Sequence, residues 1–130
     1  MKLNFILLIS IVLIFTSIGC SPATVTIKES NQNEKYCIKK GDILEIELNA
    51  NPSTGYNWQI THHDNSKLKI IDETYIAKKV KRGMVGSGGK KIYIFNAIDK
   101  GNTIIELHYS RPFEKEGPYK KKFHINLEIR

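Results

Sequence analysis

From Val25 to Ile129 the apolar residues recur at every second position in short runs, and no segment after residue 23 carries them at the spacing of a helix. Period two puts one set of side chains on one face of an extended strand, so the chain reads as all-β. Val25 and Ile27 mark a first strand and Tyr36-Cys37-Ile38 a short one. Ile43, Leu44, Ile46 and Leu48 form another, followed by Trp58 with Ile60, and then by a run from Leu68 through Ile70, Ile71, Tyr75 and Ile76 to Val80. Between Ile92 and Asn96 both faces are largely apolar, with Tyr93 and Phe95 on one side and Ile92 and Ile94 on the other, as an interior strand requires. Ile104 to Tyr109 and the alternation Phe123, Ile125, Leu127, Ile129 complete the set.

The connections are polar and carry Gly or Pro: Lys40-Gly41-Asp42, His62 to Ser66, Asp99 to Asn102 and Glu114 to Pro118. Seven or eight short strands joined this way predict an immunoglobulin-like antiparallel β-sandwich, with Trp58 as a large buried core residue. The densest local constraint is Asn51-Pro52-Ser53-Thr54-Gly55-Tyr56, between two strand-like runs. Pro52 fixes its own φ and biases Asn51 toward extended backbone, Gly55 can take positive φ, and Ser53 and Thr54 are left at the tip.

Lys2 precedes a run from Leu3 to Ile18 whose only polar members are Asn4, Ser10, Thr16 and Ser17. That is the layout of an export signal. Ser17-Ile18-Gly19-Cys20 resembles a bacterial-type lipoprotein cleavage site, with Ser17 where leucine is usual. The expected organisation is a signal peptide at 1–19, a lipidated tether at 20–24 with Cys20 acylated, and one domain at 25–130. The protein is then exported and held at the cell envelope by its lipid, the alternative being plain secretion. With Cys20 acylated, Cys37 has no disulfide partner, and its β-rich setting suggests a buried, inert thiol.

Removing residues 1–19 takes away one basic side chain, Lys2, so 19 basic residues face 13 acidic ones and the mature chain carries +6. An exported chain rarely meets nucleic acid, so headgroups, wall polymers or an acidic protein are nearer partners. Lys120, Lys121 and Lys122 would point to alternate faces of a strand rather than form one phosphate clamp.

Enzyme chemistry finds little footing. Gly83 and Gly88 have the separation of a phosphate loop, but Gly89 stands where lysine is needed and a strand follows. His62, His63, His108 and His124 match no zinc-ligand spacing, and the carboxylates are scattered singly. No catalytic residue, metal or cofactor is expected.

Three loops stand out together: Asn51 to Tyr56, Gly86-Ser87-Gly88-Gly89, and Arg111-Pro112-Phe113. In that order they resemble chagasin and the chagasin-like inhibitors of papain-family cysteine peptidases, over approximately residues 25 to 130. The resemblance implies a reversible inhibitor, not an enzyme, whose three loops lie at one end and plug a peptidase cleft. It implies that Ser53 and Thr54 approach the target's catalytic cysteine and histidine, Ser53 replacing a common threonine. Met84 and Val85 would run along the substrate groove, with main-chain bonds allowed by Gly86, Gly88 and Gly89. Phe113 would stack on the peptidase where tryptophan is frequent, with Arg111 and Pro112 setting its pose. A monomer is expected. The competing reading is a non-inhibitory envelope module that binds a wall polymer or a protein through Tyr56, Phe113 and its basic surface.

Overall fold

The computed structural model describes residues 19, 21–79, 81–83, 88–114 and 117–130. Cys20, Val80 and the loop residues Met84, Val85, Gly86 and Ser87 therefore lie outside the described residues. No helix among them is long and apolar enough to cross a membrane. They form β1 (Thr24–Lys28), β2 (Lys35–Ile38), β3 (Ile43–Ala50), β4 (Asn57–His62), β5 (Leu68–Ala77), β6 (Gly89–Ala97), β7 (Gly101–Ser110) and β8 (Lys121–Ile129). Single 3-10 turns at Glu29–Asn31 and Pro52–Thr54 are the only helical pieces described.

Two four-stranded sheets pack face to face, in the orders β1-β3-β6-β5 and β2-β8-β7-β4. Alternation in the sequence sets which side chains turn inward. Leu44, Ile46 and Leu48 of β3 with Tyr93 and Phe95 of β6 meet Ile105 and Leu107 of β7 and Phe123, Ile125 and Leu127 of β8, all nearly or wholly excluded from water. This is one continuous core, and truncating any of its large members to alanine costs about 2–5 kcal/mol.

The pairings β3–β6, β5–β6, β4–β7 and β7–β8 are antiparallel. The edge strands β1 and β2 join in parallel, β1 to β3 and β2 to β8. Alternation tells which face a strand buries and is silent on its neighbour, so these two pairings were not readable. Cys37 corrects an expectation: it is exposed. Its neighbour Ile38 fills the core and Tyr36 packs against it, so strand geometry turns the intervening thiol outward.

β5 also differs from its apolar composition. Only Leu68 is buried, and Ile71 and Ile76 are more than half exposed. It is the edge of its sheet, and the register shifts between Ile70 and Asp72, so Ile71 is an extra residue at a bulge.

Two hydrogen bonds tie the sheets through Trp58, which is 2% exposed. The Tyr93 hydroxyl on β6 donates to the Trp58 carbonyl on β4 at 2.8 Å. The Trp58 indole N–H donates back to the Asn49 carbonyl on β3 at 2.9 Å. Burial pushes the Tyr93 phenol up, so it stays protonated and able to donate. Tyr93→Phe should lower unfolding stability in urea by about 1–3 kcal/mol, because it leaves a buried carbonyl without its donor. A loss below about 0.5 kcal/mol would show that this bond does not tie the sheets.

Candidate functional site

Asn49 and Trp58 form the neck of the connection between β3 and β4, and the six residues Asn51 to Tyr56 project beyond it. Pro52 opens the 3-10 turn, and Gly55 closes it in the left-handed region at φ 80°, with its N–H on the Pro52 carbonyl at 3.0 Å. Both assignments match what the residue types demand. Ser53 and Thr54 are exposed at the tip. Their hydroxyls donate inward, Ser53 Oγ to Asn51 Oδ1 at 2.5 Å and Thr54 Oγ1 to the Asn51 carbonyl at 2.7 Å. With both protons used, the oxygens face solvent as acceptors.

The Arg111-Pro112-Phe113 connection lies against this loop. Arg111 carries its guanidinium 4.8 Å from the centre of the Tyr56 ring and pairs with Glu114 at 3.2 Å. Phe113 is 72% exposed. Its ring edge lies beside Gly55, where an added Cβ would stand 3.4 Å from Phe113 Cζ. That is ordinary contact distance, so it is the positive φ of the turn that calls for glycine at Gly55.

Below the tips, Tyr56, Tyr109 and Trp58 form an aromatic column, with ring centres 5.6 Å and 5.1 Å apart. The Tyr109 hydroxyl accepts the Asn51 N–H at 2.9 Å, and Lys120 Nζ lies 5.3 Å from the Tyr56 ring. Tyr109 and Lys120 were not found in the sequence. Tyr109 stood only as the end of the strand run from Ile104, and its place two residues before Arg111 was the available signal.

Of the glycine loop, Gly88 and Gly89 are described. A Cβ on Gly88, at φ 73°, would sit 3.0 Å from the Ala50 carbonyl oxygen, and one on Gly89 would overlap the Ile76 carbonyl. Both glycines therefore have an internal reason to lack side chains: they let the end of β5 and the start of the Asn51 loop close on β6. Asn51, Thr54, Lys78, Gly88, Tyr109 and Lys120 line one cleft of about 610 Å³. Thr54, Gly88 and Phe113 accordingly share one end of the sandwich.

The histidines do not converge on a cation position. Among the described residues no three His, Cys, Asp or Glu side chains could hold a metal. Glu106, near His108 and His124, is taken by Lys122 at 2.8 Å, and chiefly this bond holds its carboxyl down to about 2. His63 packs edge-on against Phe95.

Tyr109→Phe should quicken hydrogen exchange at the Asn51 amide by about tenfold, the effect of losing a bond worth roughly 1–1.5 kcal/mol, while β8 amides stay protected. Unchanged exchange at Asn51 would remove Tyr109 as the support of this loop.

Comparison with known proteins gives consistent results. The sequence model for the chagasin family peptidase inhibitor I42 matches residues 37–127. Amoebiasin-2 from Entamoeba histolytica is 31% identical over 105 residues, which cover 78% of this chain and 85% of amoebiasin-2. The crystal structure of the cysteine protease inhibitor EhICP2 from Entamoeba histolytica superposes with a TM-score of 0.78 at 29% identity, covering 86% of this chain and all of that one. PbICP-C, solved in complex with falcipain-2, has a TM-score of 0.61 at 16% identity, covering 83% of this chain and 99% of PbICP-C, and so shares the fold.

Proposed function

The chain belongs to the chagasin family of peptidase inhibitors, and from that premise we propose that it blocks papain-like cysteine peptidases reversibly by seating three loops in the active-site cleft. It is an inhibitor and not an enzyme. The observation that carries the occlusion reading is the pinning of two loops to each other, Phe113 against Gly55 and Arg111 over Tyr56, at the end where Gly88 also lies.

Loops already held in one arrangement lose little freedom on binding, which leaves more of the contact energy as affinity. Ser53 and Thr54 meet the catalytic cysteine and histidine of the target. Their outward oxygen lone pairs suit a protonated histidine, which is a donor. Met84 and Val85 would run along the substrate groove, with main-chain bonds allowed by Gly86, Gly88 and Gly89, and Phe113 is the exposed aromatic anchor, with Pro112 limiting its backbone. Three adjacent loops can supply the roughly 1,600 Å² that peptidase–inhibitor interfaces bury. PbICP-C, of the same fold, is known in complex with falcipain-2.

Titrating papain with the full chain in non-ionic detergent should abolish activity at one equivalent, with the inhibitor recovered uncleaved. Unchanged activity at large excess would favour the non-inhibitory envelope module instead. Phe113→Ala should weaken inhibition by about tenfold or more, mainly through faster release; an unchanged release rate would remove Phe113 as the anchor.

The same reading makes Cys20 the acylated first residue of a monomeric, envelope-bound protein. Its support is the position of the N-terminal edge. Thr24 pairs with Ile43, at the end of β3 remote from Ala50, and the Ala23 N–H and carbonyl are bound by Asp42 and by the Ile43 N–H. An anchor there leaves the loops free at the far end, about 27 Å away along eight residues of β3. Cells fed labelled fatty acid should label the parent and not Cys20→Ala; equal labelling, or none, would overturn lipidation at this residue.

A further inference from the structure

The excess positive charge is gathered at the loop end. Most carboxylates on this half of the sandwich are taken up: Glu47 by Lys90 at 2.7 Å, Glu29 by Lys121 at 3.0 Å, Glu73 by Lys91 at 2.5 Å and Glu114 by Arg111 at 3.2 Å. Among the described residues, Lys78, Lys79, Lys81, Arg82 and Lys120 have no carboxylate within ion-pair reach. All five are exposed. Four of them follow directly on β5, an edge strand with no described strand on its far side. Lys78 is bonded through its N–H to the Gly88 carbonyl at 2.9 Å, which fixes the start of this cationic run beside the glycine loop. Lys78 and Lys120 also border the cleft that Thr54 and Asn51 line.

Like charges crowded on one end repel each other, and among the described residues no carboxylate pairs with these five. A partner of opposite sign is the arrangement that does. We propose that this cationic end selects a papain-like peptidase whose cleft rim is acidic on the side facing residues 78–82, and draws it in before the loops engage. The proposal rests on the inhibitory reading above and specifies its partner. It assigns Lys78, Lys79, Lys81 and Arg82 to the association step, whereas the tips of the Asn51 and Arg111 loops govern release. Charges acting at long range raise encounter rates and are weakened once the Debye length falls below about 10 Å.

Association of the full chain is measured by stopped flow, in non-ionic detergent, with two papain-family peptidases, one of acidic and one of basic net charge. With the acidic peptidase the association rate should fall about tenfold or more between roughly 20 and 300 mM salt, while the release rate changes less than about twofold. Changing Lys78, Lys79, Lys81 and Arg82 to Glu should flatten or invert that dependence, and changing all four to Gln should give an intermediate slope. These exposed positions leave the urea midpoint unaltered. Equal salt slopes for the parent and the Glu variant, or equal association rates with both peptidases, would overturn the charge proposal while leaving inhibition intact. If neither peptidase is inhibited, the inhibitory reading falls and this proposal with it.

Discussion

The loop end depends on a reciprocal pair of hydrogen bonds that cross between the sheets at Trp58. The Tyr93 hydroxyl reaches from one sheet to the Trp58 carbonyl, and the Trp58 indole reaches back to the Asn49 carbonyl. Packing alone would hold the sheets at their usual separation but would tolerate sliding, because the hydrophobic effect has no direction. Directed bonds between buried groups do not tolerate it, since each displaced partner would be left unsatisfied at about 1–3 kcal/mol. Asn49 and Trp58 are also the two ends of the neck from which the Asn51 loop emerges. The ties that register the sheets therefore set the exit angle of that loop.

Two carboxylates secure the side of the sandwich where the chain crosses between sheets. Glu29, in the turn after β1, accepts the Asn49 N–H at 3.0 Å and pairs with Lys121 on β8, joining the sheets close to the Asn51 loop. At the opposite end Asp42, nearly buried, accepts the N–H groups of Ala23 and Lys39 at 3.1 and 2.8 Å. It thus fastens the leading segment to the turn that starts β3. An acceptor surrounded by backbone donors is a satisfied buried charge, so it adds order without the penalty of an unpaired one. The aromatic column of Tyr56, Tyr109 and Trp58 then carries the registration upward from the core to the tips.

What the sequence disclosed follows from the range of each interaction. Faces of β3, β6, β7 and β8 were legible because alternation is local. The turn at Pro52 and Gly55 was legible because those residues restrict the backbone by themselves. Parallel pairing of β1 and β2 was not, since it depends on which strand lies alongside. The exposure of β5 was not legible for a related reason: Ile70, Ile71, Tyr75 and Ile76 are apolar, and it is the edge position and the bulge that leave these side chains exposed. Cys37 was misjudged from its apolar neighbours, though strand alternation beside Tyr36 and Ile38 already pointed it outward. The site divided in the same way. Its loops announced themselves as motifs, while Tyr109, which holds Asn51 from 58 residues away, carries no local mark.

The arrangement separates two quantities that a binding protein must set. Contacts among Gly55, Phe113, Arg111 and Tyr56 act only at touching distance, so under the proposed occlusion they bear on how long a complex lasts. The cations Lys78, Lys79, Lys81 and Arg82 act over a Debye length, so under the charge proposal they bear on how often a complex forms and with whom. Since the two groups occupy different segments, either can change without disturbing the other. Lys78, Lys79, Lys81 and Arg82 follow an edge strand and are exposed, so the framework imposes little on their identity. Gly88 and Gly89 are the opposite case: each is hemmed in by the carbonyls of neighbouring strands. Substitution is therefore structurally cheap at the cationic run and costly at the glycines, whatever either contributes to binding.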